Sequence, residues 1–140
     1  TFYIPSEGED AYRRGVYTIL RRNNPYPSFV NFDATDRSTC TFKRDVSNTP
    51  LQALTLLNDP VYVEFAEAFG KRIAREGGES LDEKLVWAFR IALARHPREP
   101  ELQLLHSAFT SVLGESASED RAYFEVATIL LNLHETINRS

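Results

Sequence analysis

The chain has one cysteine, no methionine and a single tryptophan among its 140 residues. A lone cysteine excludes an internal disulfide, a multi-cysteine zinc site and the paired-cysteine attachment of a haem. Cys40 is expected to be a small, half-buried apolar side chain. The other reading, a reactive thiol, needs a cationic neighbour, and Lys43 and Arg44 are near it only in sequence. Apolar runs are short, and none approaches the ~20 residues of a membrane-spanning helix. Positive charge is in deficit, with 16 Lys and Arg against 20 Asp and Glu and a net charge of -4. That balance argues against a nucleic-acid partner, whose binding rests largely on basic surface. Histidine is scarce, and no two of His96, His106 and His134 lie three or four residues apart on one helix, so a zinc site has no local support. Neither a glycine-rich phosphate loop nor a Gly-x-Ser-x-Gly elbow occurs. No catalytic residue, metal ligand or cofactor is therefore assigned. With Thr1 at its start and no methionine, the chain is expected to be a fragment of a longer protein, any targeting signal lying outside it.

Apolar residues at 42% and charged residues at 26% are ordinary globular values,. A chain of this length is expected to be a single helical domain, 1–140, burying roughly two thirds of its unfolded surface. Its organising stretch runs from Arg44 to Ile73. Asn48 or Thr49 can cap a helix whose first position is Pro50, where the missing amide hydrogen costs nothing. Leu51, Leu54 and Leu57, widened by Leu56, predict that this short helix is buried. Asp59 and Pro60 restart the chain into a longer helix with Val61, Phe65, Ala68, Phe69 and Ile73 on its inner face.

Upstream, Phe2, Tyr3 and Ile4 look like the tail of an earlier element. Ala11 to Arg22 predicts an amphipathic helix with Tyr12, Val16, Ile19 and Leu20 inside and Arg13, Arg14, Arg21 and Arg22 outside, the basic face being a solvated surface. Gly15 within it suggests close backbone packing. Downstream, Gly77 and Gly78 end the Pro60 helix, and Ser80 with Glu83 spells a capping box. The next helix carries Leu81, Leu85, Ala88, Phe89 and Ala92 inward, with Trp87 and Ile91 broadening the stripe, and stops at Pro97. Leu102, Leu105, Phe109, Val112 and Leu113 mark another that ends at Gly114, the two forming a helical hairpin. Ser118 caps a last helix with Phe124, Ala127, Leu130, Leu131 and His134 in line. The predicted fold is all-α, about five to six helices in an antiparallel bundle-like array with one long ordered irregular loop.

That loop, Asn23 to Ser47, is longer than compact domains usually leave irregular, yet too apolar for a disordered linker. Phe29, Phe32 and Phe42 are expected to anchor it against the helix beginning at Pro50. Within it, Phe32 to Arg37 reads FDATDR. Asp33, Asp36 and Arg37, with Arg44 nearby, form the candidate binding group. Two carboxylates beside an arginine serve a hard cation, acid-base chemistry, or turn capping and ion pairing, and turn capping is the commonest use of Asp in loops.

Four runs occur together in order: RRGVYTILRR from Arg13, FDATDRSTC from Phe32, NTPLQALTLLND from Asn48 and LLNLHE from Leu130. Together they resemble a secreted planctomycete domain family of unknown function, found at the C-terminal end of large multidomain chains. Many of those chains also carry a cytochrome-c-like domain. Thr35 stands where the family pattern has proline. The resemblance implies an extracytoplasmic, all-helical C-terminal piece and no established activity. Two functions follow as expectations. The first is a binding or scaffolding module that packs on upstream domains of the same protein or on a protein partner. The alternative is part of a redox or carbohydrate-degrading enzyme whose site is shared with upstream domains and borrows Asp33, Asp36, Arg37 or Arg44.

Overall fold

A computed structural model describes residues 6, 8–21, 23–36, 38–116 and 118–138. It contains seven α-helices and no strand among these residues. Helix accounts for 68% of the chain, which makes the fold all-α. The helices are α1 (Pro27–Asn31), α2 (Pro50–Asn58), α3 (Pro60–Glu76), α4 (Leu81–Leu93), α5 (Glu99–Ser116), α6 (Glu119–Asn132) and α7 (His134–Ile137). Contacts divide the chain into two compact units, residues 1–52 and 53–140.

In the second unit α6 is the central helix, packing on α3, α4, α5 and α7. Its Ala122, Tyr123, Val126, Ala127 and Leu130 are buried, and all five lie within one stripe at helical spacing,. Ala66, Gly70 and Ile73 of α3 meet them, along with Leu85, Ala88 and Phe89 of α4 and Leu105 and Phe109 of α5. Gly70 sets the closest approach: a Cβ there would lie 3.0 Å from the backbone nitrogen of Phe124. Helix α3 therefore turns its small residues, not its largest ones, toward α6. Val61 and Phe65, expected inside, are exposed, as is Ala68, while Phe69 and Ile73 pack inward as expected. The apolar stripe of α3 is wide enough to support either face, and contact with α6 selects the one with glycine.

Helix ends in this unit follow local chemistry. Asp59 accepts from the Val61 amide at 3.0 Å. Ser80 and Glu83 form the reciprocal capping box,. Ser118 caps α6. Between α4 and α5, Ala94 turns the chain at φ 58°, and Arg95 ties three segments together. Its guanidinium donates to Glu101 at 2.7 and 2.9 Å and to Glu135 at 2.7 Å, and lies 4.8 Å over the Phe89 ring. Hydrogen bonds from Arg95, joined by the Arg98 amide, hold the Glu101 carboxyl down at about 2. His134, expected on the α6 stripe, instead opens α7, because α6 ends at Asn132 and Leu133 is extended. Ile91, expected to widen the α4 stripe, is exposed.

In the first unit the expected helix Ala11–Arg22 does not form. Two short 3-10 turns, Gly8–Tyr12 and Gly15–Tyr17, stand in its place, with Arg14 extended between them at ψ 144°. Gly15 and the β-branched Val16, Thr18 and Ile19 all weaken helix formation, and no tertiary face rescues it. Tyr12, Val16 and Ile19 are exposed. Gly15 still has a packing reason: its α-carbon lies against Phe29, whose ring would be 3.0 Å from an added Cβ. The Phe2, Tyr3 and Ile4 group and Arg22 lie outside the described residues.

Gly114, by contrast with Gly70, has nothing within 4 Å of an added Cβ, and α5 continues past it to Ser116. Gly70→Val is therefore expected to lower stability by about 1–3 kcal/mol through overpacking. Gly114→Ala is expected to raise it by about 0.5–1 kcal/mol through helix propensity. Urea denaturation midpoints of the two variants check the pair.

Candidate functional site

The FDATDR loop is built on the end of α1. This helix has only five residues, starts on Pro27 and ends at Asn31. A helix so short has almost no internal ladder, so its carbonyls need partners from elsewhere. The Phe32 amide bonds the Ser28 carbonyl at 3.0 Å, and the Ala34 amide reaches back to Phe29 at 2.8 Å. The Asp33 amide donates to Val30 at 3.4 Å. This pattern of returning amides is the Schellman ending, which places the residue after the cap in the left-handed region. That residue is Asp33, at φ 57°. Glycine is the usual occupant, and Asp carries a backbone cost there.

The Asp33 side chain accounts for the choice. Its carboxylate accepts from the Ser47 amide at 2.8 Å and from the Ser47 hydroxyl at 2.7 and 2.9 Å. Those hydrogen bonds, first from the hydroxyl and then from the amide, hold the carboxyl below its ordinary value, with the charge of Arg44 adding to the effect. Arg44 does not pair with the carboxylate directly. It donates to the backbone carbonyls of Asp33 at 2.7 Å and Phe32 at 2.6 Å. The remaining carbonyl, that of Asn31, accepts from Gln52 at 2.9 Å. Gln52 is 1% exposed and also donates to the Ser47 hydroxyl at 3.0 Å. Every carbonyl from Ser28 to Asp33 thus has a donor, three of them from side chains 11 to 21 residues downstream.

Gln52 escaped notice in the sequence, although a signal for it was present. Thr49-Pro50-Leu51-Gln52 has the spacing of a capping box, and the structure forms one: the Gln52 amide donates to the Thr49 hydroxyl and the Thr49 amide to the Gln52 side chain, both at 3.3 Å,. The cap thus falls on Thr49 rather than Asn48. Nothing in that pattern says that the glutamine amide would also reach Asn31.

Asp36 stands apart from this group. Its carboxylate accepts from the Ser38 amide at 2.9 Å and the Ser38 hydroxyl at 2.7 Å, a local turn cap,. Arg37 lies outside the described residues. Of the three expected anchors, Phe29 and Phe32 are half-buried, but Phe42 is fully exposed. The loop is held to the start of α2 by polar contacts rather than by a third ring. Cys40 is exposed, not half-buried as expected.

Beside the clasp lies a cleft of about 290 Å³ lined by Leu20, Arg21, Pro25, Phe29, Val30, Ala34, Thr35 and Asp36. Its walls are mostly apolar, with Arg21 and Asp36 supplying opposite charges. Among the described residues no group of three or more His, Cys, Asp or Glu is placed to hold a metal ion. No helix among them is long and apolar enough to cross a membrane.

One unit holds a short helix whose loop polar groups are turned on one another, the other is a set of packed helices, and no catalytic constellation is recognised among the described residues of either. The chain belongs to the family described as PSD1, protein of unknown function (DUF1553), whose model matches residues 2–109. No curated protein and no solved structure matches it significantly.

The clasp makes Gln52 more important to the first unit than its neutral side chain suggests. Gln52→Leu removes the bond from the buried Gln52 side chain to the half-buried Asn31 carbonyl and is expected to cost about 1–3 kcal/mol,. Hydrogen exchange should show faster exchange at Ala34 and Ser47 in the variant, with residues 122–130 unchanged.

Proposed function

We propose that the chain is a binding and scaffolding module, the C-terminal part of a larger extracytoplasmic protein, and that it docks on an upstream domain of that same protein. The observation that carries this reading is the surface of α2. This nine-residue helix contains no charged side chain. Its Leu51, Leu54 and Leu57 recur every three residues and are 53%, 57% and 50% exposed. Helices of this length are marginal by themselves in water, and each leucine gains about 1.5–3 kcal/mol on full burial. An exposed apolar strip with no charge of either sign fits the surface of another folded domain better than nucleic acid or an anionic membrane, both of which call for basic residues. The resemblance to C-terminal domains of secreted planctomycete chains, many with a cytochrome-c-like domain, supports a neighbour in the same polypeptide as the occupant. On this reading the chain itself carries no cofactor and no complete catalytic site, and Asp33 and Arg44 serve the loop's architecture.

Expressed as separate polypeptides, this chain and the sequence that precedes it in its gene are expected to copurify. The double substitution Leu54→Gln with Leu57→Gln is expected to abolish copurification without lowering the denaturation midpoint of the chain alone. Copurification untouched by the substitutions, or a gene product with nothing preceding this chain, would refute the proposal.

A further inference from the structure

The outer face of α3 carries a pattern that the core does not require. Val61, Glu64 and Phe65 stand seven, four and three positions before Ala68, and Arg75, Arg72 and Lys71 stand at the same distances after it. Such intervals keep residues on one face of a helix, and all seven side chains are exposed,. Val61 and Phe65 are 40% and 45% exposed, although both are large and apolar. Position is thus symmetric about Ala68 while chemistry is not. The first half is apolar and acidic, with Glu67 following Glu64, and the second half is cationic. Arg72 and Arg75 both hold Glu76, and that single carboxylate leaves the second half with net positive charge.

A helix with unlike halves is complementary to its own reverse. Laid parallel, two copies of α3 would set Glu64 on Glu64 and Lys71 on Lys71. Laid antiparallel about a two-fold axis at Ala68, each acidic half meets a cationic half. Glu64 then comes level with Lys71 and Arg72 of the second copy, and Val61 and Phe65 with the methylene stems of its cations. A cation over a phenyl ring adds its own attraction. Alanine at the axis is small, which lets the two helices approach closely. The contrast lies in summed charge along the helix, so contacts that these side chains keep in their own chain do not remove it. We infer that α3 is the interface of a weak homodimer, occupied by a second copy of this chain packed antiparallel across Ala68. One helix on one helix falls at the low end of interface sizes, below ~1,200 Å², so the dimer is populated only from about 0.1 mM upward. This surface lies wholly within the second unit and does not include the leucine strip of α2, so it requires no domain docked there.

Sedimentation velocity of the intact chain, from about 10 µM to about 1 mM, is the test. A monomer–dimer equilibrium is expected, and it should weaken as sodium chloride rises, because salt screens exposed charge. Reversing the cationic half with Lys71→Glu and Arg75→Glu, or the acidic half with Glu64→Lys and Glu67→Lys, should weaken self-association at least about tenfold. An equimolar mixture of the two variants should dimerise as the unmodified chain does. Orientation is read with a short bis-maleimide in a Cys40→Ser background: Val61→Cys and Arg75→Cys chains should cross-link when mixed, and neither should cross-link to itself. A monomer at every concentration, a dimer indifferent to salt and to both reversals in variants with unchanged circular dichroism, or a mixture that stays monomeric would overturn the inference. So would Val61→Cys chains that cross-link to one another, or a dimer lost instead in Leu54→Gln with Leu57→Gln.

Discussion

The first unit depends on one constraint: a five-residue helix must find donors for the carbonyls at its end,. Two amides return to Phe29 and Val30, and the side chains of Arg44 and Gln52 supply the carbonyls of Phe32, Asp33 and Asn31. These donors fix the path of the chain for some twenty residues. They bring Ser47 to the Asp33 carboxylate, and that pairing in turn justifies a left-handed aspartate where glycine would be easier,. The carboxylate, the guanidinium and the buried amide all take part in holding the loop. The candidate binding group of the sequence and the clasp share Asp33 and Arg44, while Asp36 caps its own turn.

The second unit is organised by a contrary economy. Its polar chemistry sits at helix ends and in the Arg95 cluster, and its interior is made by apolar stripes on α3 to α6. Gly70 lets the backbones of α3 and α6 come close, and the consequence reaches the surface. Once α3 commits Ala66, Gly70 and Ile73 inward, Val61 and Phe65 are left outside. The exposed apolar surface is like that of α2, the helix that carries the proposed docking role.

Much of this was legible from the residues, and the failures have definite causes. Caps at Asp59, Ser80 and Ser118 were readable because capping is local chemistry, decided within four residues,. The stripes of α4 and α5 were readable because each had one strong apolar face. The helix expected at Ala11–Arg22 failed because its periodicity was contradicted by Gly15 and three β-branched residues, and periodicity was given the greater weight,. The leucines of α2 were expected inside because they recur at helical spacing, but spacing identifies a face and not what covers it,. Gln52 was missed because a neutral side chain advertises no site, and its bond to Asn31 spans 21 residues. Family membership is shown over residues 2–109, which hold the first three of the four runs, while LLNLHE from Leu130 lies beyond them.

The role of Asp33 in the clasp is open to one direct measurement: amide hydrogen exchange at Ser47, whose N–H donates to that carboxylate. If the clasp holds the first unit together, Ser47 exchanges well below the rate of an unstructured peptide, and Asp33→Ala restores that rate there and at Ala34. Exchange at the unstructured rate in the unmodified chain, or protection at Ser47 that survives Asp33→Ala, would contradict it.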